Sequence, residues 1–221
     1  MHAFTPVDTI DASNFLRAVG EPDGSVIEHF IMPVTGFEYN GQAVTPNGFD
    51  SPHGPSYSLF LTLDATITGG AFTDLTATLW ADPGSDDGSV SVSETTDPAF
   101  SNGMKHDIAL ATGTFVSANF NFDPVTQTRS ADFVESMTPT LAGSLLLNGS
   151  IQPGTMLEEK LTTPADVFHT NGITGPGMIN WVTGSSAVIT LGPPSTILLP
   201  NVPPAAVHGG DRLSFLYGPQ D

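Results

Sequence analysis

The chain predicts an all-β fold, an antiparallel β-sandwich or jelly-roll-like domain of about 11–12 strands with one or two short helices. Three observations carry this. Apolar and polar residues alternate with period two over long runs, as they do when successive side chains of a strand point to opposite faces. Turn formers are dense, with 23 Gly and 19 Pro in 221 residues. Asn-Gly pairs, which supply the positive φ angles of tight hairpins, stand at 40–41, 47–48, 102–103, 148–149 and 171–172.

Taken in order, Asp11–Gly20 predicts a short helix, capped by Asp11 or Ser13 and stopped by Gly20. A strand follows at Ser25–Met32. In Tyr57–Thr68 the odd positions Leu59, Leu61, Leu63, Ala65 and Ile67 form one apolar face. Leu75, Ala77, Leu79 and Ala81 repeat the pattern, and Val90 and Val92 begin a short strand. Ile108–Phe122 is the longest run, with Gly113 marking a bulge or bend. Ser130–Met137 and Gly143–Leu147 come next. Thr155-Met156-Leu157-Glu158 fits a capping box and predicts a helical turn ending before Pro164. The remaining strands are Ile179–Thr183, Ala187–Leu191, Thr196–Leu199 and Arg212–Tyr217. Residues 1–221 suit one domain, in which Gly192–Pro204, with five Pro, is either a weak boundary or an ordered extended strap.

Charge narrows the function classes. Five Lys+Arg face 23 Asp+Glu, a formal net charge of -18. Nucleic acid and anionic membranes need basic surface, so neither is an expected partner. Divalent cations are, because an acidic shell attracts them. The absence of Cys excludes thiol catalysis and Cys-ligated metals. No stretch approaches the roughly 20 apolar residues of a spanning helix. The first residues carry no basic segment followed by an apolar run. Either the protein is cytoplasmic or this is the mature form of an exported chain, and the Thr- and Ser-rich, Lys-poor composition favours the second.

Four sets of residues are candidates for chemistry. The loop from Asp82 to Gly88 offers Asp82, Asp86 and Asp87 to a hard cation such as Ca²⁺, which wants several oxygens converging on one point. It is a near miss for a helix-flanked calcium loop, and the plain alternative is a solvated hairpin turn. Glu28 and Glu135 sit on the apolar parity of their strands. A carboxyl there has a raised pKa, as a general acid for glycoside hydrolysis requires, although a structural role explains the parity as well. Trp80 falls on the polar parity and could stack on a sugar ring, unless that sheet face is itself covered. Six His are present without metal-ligand spacing. His29, between Ile27 and Ile31 in alternation, is expected to face a core.

The segments Leu75-Thr-Ala-Thr-Leu-Trp-Ala-Asp-Pro-Gly84 and Asp107-Ile-Ala-Leu-Ala-Thr-Gly-Thr-Phe115 resemble the flocculation-associated exported bacterial proteins that carry a Pro-Glu-Pro C-terminal sorting signal. The resemblance spans roughly residues 57 to 145, without the sorting motif itself. It implies an extracellular or cell-surface, non-enzymatic role in a matrix, floc or biofilm. The expectation is therefore association with polysaccharide, cations or like subunits. The alternative is a carbohydrate-active hydrolase or a carbohydrate-binding domain.

Overall fold

A computed structural model describes residues 6–45, 57–83, 89–93, 95–104, 107–126, 128–140, 145–147, 150–151, 155–164, 176–177 and 179–197. Its strands are β1 (Val7–Gly20), β2 (Val26–Tyr39), β3 (Gln42–Ala43), β4 (Tyr57–Thr68), β5 (Ala71–Pro83), β6 (Val90–Ser93), β7 (Thr96–Phe100), β8 (Ile108–Asp123), β9 (Thr128–Pro139), β10 (Leu145–Leu147), β11 (Ser150–Ile151), β12 (Thr155–Pro164) and β13 (Ile179–Ile197). The all-β antiparallel class is as the alternation predicts.

The strands are arranged as one curled sheet. Its order is β1-β2-β4-β5-β8-β9-β12-β13, and β13 pairs back onto β1. Eight long strands therefore form a hydrogen-bonded ring whose opposite walls face each other across a shared core, as the two sheets of a sandwich would. β6 and β7 form a separate two-stranded sheet. In a ring of this size the interior is just wide enough for side chains to fill it.

Register carries the inward face from strand to strand. Met32 pairs with Leu61, Leu61 with Leu79, and Leu79 with Ala111. Ile10 and Ala12 pair with Ile189 and Ala187, which brings the same face across the closure. These residues belong to one buried cluster with Leu16, Phe30, Leu63, Leu75, Leu110, Phe133 and Met137. Each fully buried Leu or Phe contributes roughly 1.5–3 kcal/mol.

Both expected helices are strands. Asp11–Gly20 lies within β1, where the even positions are buried. Asn14, fully buried, is the polar residue that interrupts the apolar alternation of Ile10, Ala12, Leu16 and Ala18. Its presence, with Asp11 and Ser13 nearby, imitates a helix cap. Thr155–Glu158 lies within β12, where pairing to both β9 and β13 supplies the backbone partners that a helical turn would have supplied locally. The segments expected at Ile179–Thr183 and Ala187–Leu191 and the start of that at Thr196–Leu199 are one continuous strand, β13. That strand includes residues 192–197, so the first half of the Pro-rich segment is paired sheet. Residues 198–204, like the strand expected at Arg212–Tyr217, lie outside the described residues.

Gly113 is not the bulge. It pairs regularly with Ala77 and Met137, and the irregularities fall at Leu110 against β5 and between Phe115 and Ser117 against β9. Turn chemistry follows sequence where it is described. Asn40 and Gly41 both take positive φ, 52° and 69°, in the hairpin that joins β2 to β3.

Candidate functional site

Glu28 and Glu135 are both buried on the inner face, where their strand parity put them. Burial pushes the Glu28 carboxyl up to about 7 and the Glu135 carboxyl up to about 8. Withdrawal from water disfavours the charged form, and burial is the cause in both cases. Neither oxygen of Glu135 has a hydrogen-bond partner among the described residues. The carboxyl lies over the backbone of Gly113, where an added Cβ would collide with Glu135 Oε2 and stand 2.8 Å from Met137 Sδ. Gly113 thus marks a close approach rather than a bend.

The ring does not bring the two glutamates together. β2 and β9 are four places apart in an antiparallel ring of eight, so they run in the same direction on opposite walls. Phe30 and Phe133 meet edge to face across the interior at 6.0 Å. Glu28 precedes Phe30 by two residues and Glu135 follows Phe133 by two. From that contact the glutamates step away towards opposite ends of the ring.

The outer wall holds the other candidates. Trp80 is half-buried, stacked on Phe60 at 6.2 Å, and its Nε1 donates to Thr62 Oγ1 at 2.9 Å. Both rings belong to a second small core with Phe15, Ile31, Val90 and Phe100, outside the ring and covered by the β6–β7 hairpin. This cover explains why two aromatics stand on the polar parity of their strands.

His29 faces outward as well, so the expectation that it faces a core is corrected. The alternation with Ile31 is real, but the core that Ile31 meets is the outer one, and its edge falls short of His29. His29 Nδ1 bonds Asp64 Oδ1 at 2.6 Å, and the aspartate holds the imidazole above its usual range. Beside it, Arg17 pairs with Asp97 of β7 and ties the hairpin to the wall.

Asp82 is buried, 1% exposed, and accepts a hydrogen bond from Ser58 Oγ at 2.8 Å. Asp86 and Asp87 lie outside the described residues. Among the described residues no three His, Asp or Glu side chains gather into a metal-sized group.

One feature needed the register to become visible. Thr62, Thr78, Thr112 and Thr138 pair successively across β4, β5, β8 and β9. Asp64, Thr76, Thr114 and Ser136 form the adjacent row. Thr76, Thr112, Thr114 and Thr138 are exposed. Sheet geometry spaces such hydroxyls by about 4.8 Å across strands and about 6.7 Å along them. The Thr-x-Thr spacing in β5 and β8 was available in the sequence, but only pairing shows that the repeats lie side by side. Comparisons with known protein families, with curated proteins and with solved structures find no match to this chain.

Proposed function

We propose that the protein is a non-enzymatic component of a cell surface or extracellular matrix that acts by association. Its partner is a polysaccharide or further copies of the chain, with divalent cations such as Ca²⁺ bridging acidic surfaces that would otherwise repel. The observation that carries the reading is the double row of Thr and Ser side chains across β5, β8 and β9, continued onto β4 by Thr62 and Asp64. A regular, largely uncharged array of hydroxyls is suited to a repeating polyhydroxyl polymer, in which each contact is weak and many act together. The resemblance to flocculation-associated exported proteins points the same way.

The hydrolase alternative asks for two carboxyls roughly 5–10 Å apart in one cleft. The raised pKa of Glu28 and Glu135 suits a general acid, but the two side chains diverge from the Phe30–Phe133 contact, which does not support a paired site.

Co-sedimentation with insoluble neutral polysaccharides, and light scattering with and without Ca²⁺, test the proposal. The expected result is binding that weakens at least tenfold in the Thr112→Val, Thr114→Val double variant. A chain that binds none of the polymers and stays monomeric in both conditions would overturn it.

A further inference from the structure

The ring is not paired along its whole height. The ladder between β5 and β8 runs from Ala81 and Ile108 to Thr76 and Thr114 and stops there. β8 nonetheless continues to Asp123, paired on its other side with β9 as far as Thr128. From Val116 onward its second border meets no described strand.

The seam has local causes. In β5 the register against β4 slips at Thr73, between the Thr66–Asp74 and Ile67–Phe72 pairs. Asp74 Oδ1 accepts the N–H of Leu75 at 2.9 Å, a local bond that competes with pairing. Phe72 packs on the buried Phe133 at 4.8 Å, which draws this end of β5 towards the interior. In β8 the register against β9 slips at Val116, and such a bulge bends and twists its strand.

The two borders of the seam differ. An unpaired strand border is a template for another strand, and natural edges are commonly guarded by charge or Pro. The β5 border carries Asp74, which is exposed. The β8 border, Val116-Ser-Ala-Asn-Phe-Asn-Phe122, has no charged residue, no Pro and no Gly. Val116 is 50% exposed, and Ser117 and Asn119 are exposed.

Charge and symmetry select the occupant. Two copies of a chain with net charge -18 repel, and an uncharged border is where they meet at least cost. A strand paired antiparallel with its own twin satisfies two-fold symmetry. An axis at Asn119 sets Ser117 opposite the partner's Asn121 and keeps each parity on its own face. We propose that Val116–Phe122 of β8 pairs in this way with the same border of a second copy, joining two rings into one continuous sheet. The pairing names the surface for the self-association half of the reading above and rests on that half alone. It needs neither polysaccharide nor Ca²⁺.

Sedimentation equilibrium of the intact chain, in EDTA and about 150 mM NaCl, from low to high micromolar concentration, tests it. A reversible dimer is expected. Asn119→Asp and Asn119→Lys each set like charges opposite one another across the axis. Each is expected to weaken the dimer at least tenfold with an unchanged circular dichroism spectrum, because Asn119 is exposed. Mixed in equal amounts, the two variants are expected to recover the dimer, because opposite charges then face each other. The chain has no Cys, so Asn119→Cys is expected to cross-link to its twin on mild oxidation. Val125→Cys, in the β8–β9 turn and 89% exposed, is expected not to. A dimer indifferent to both charges, no recovery in the mixture, or equal cross-linking at Val125 would overturn the pairing and leave self-association to another surface. A chain monomeric without Ca²⁺ would also overturn it, and co-sedimentation of the same sample with polysaccharide shows whether the wider reading fails with it.

Discussion

At the residue scale, the two buried glutamates set the pH dependence of stability. Each has a folded-state pKa above its ordinary value of 4.5, about 7 for Glu28 and about 8 for Glu135. The folded state therefore holds more protons than the unfolded state between the ordinary and the raised value. Stability is complete below about pH 4.5 as far as these groups are concerned, and falls as pH rises through 7 and 8. The melting temperature should drop between pH 5 and pH 9, and Glu135→Gln should flatten that drop and stabilise the protein at pH 8 by roughly 2–4 kcal/mol. His29 titrates with the same sign, so the difference between wild type and Glu135→Gln is the measurement that decides. Gly113→Ala should cost roughly 1–3 kcal/mol by chemical denaturation, because the new methyl group collides with Glu135 and Met137. The cost should shrink in a Glu135→Ala background. The burial of both glutamates was legible from parity alone. What parity could not give was their separation, which depends on where two non-adjacent strands stand in the ring.

At the scale of the element, the β6–β7 hairpin, a separate two-stranded sheet, is open to local release. Its polar tie is the Arg17–Asp97 pair, in which the aspartate side chain is half exposed. Such a pair is worth about 0–1 kcal/mol. Asp97→Asn should therefore leave the global melting temperature nearly unchanged while raising amide hydrogen exchange in residues 90–100, with β4 and β5 unaffected. Unchanged exchange in the hairpin would mean that Val90 and Phe100 alone hold it. Legibility varied among the elements for identifiable reasons. The bounds of β4 match the alternating run Tyr57–Thr68, because its inner positions are uninterrupted aliphatics. β1 was hidden by one buried polar residue, Asn14. β12 was hidden by a local capping signal that long-range pairing overrides. β13 was broken in expectation by Gly184 and by Pro193 and Pro194, yet a strand carries all three. The Trp80 and Phe60 parity was a true signal of a second covered face, although the hairpin that covers it could not be read from those residues.

For the whole molecule, the governing quantity is the net charge of -18. Self-repulsion destabilises a compact acidic chain, and salt screens it over about 8 Å at physiological ionic strength. Raising NaCl from about 10 to about 150 mM should increase the melting temperature, in scanning calorimetry at pH 7. A decrease would mean that attractive pairs dominate the surface instead. The fold class was legible because alternation is local. The closure was not, because it joins Val7–Gly20 to Ile179–Ile197, segments separated by most of the chain. That junction also governs how the protein comes into being. Until β13 has been synthesised, β1 has only one neighbour and its other edge lies open. The growing chain is thus an unfinished sheet with two exposed borders, able to add strands from other molecules and slow to find its own. Closure has to wait until β13 is available, and a helper that shields β1 until then would raise the yield of correctly closed rings.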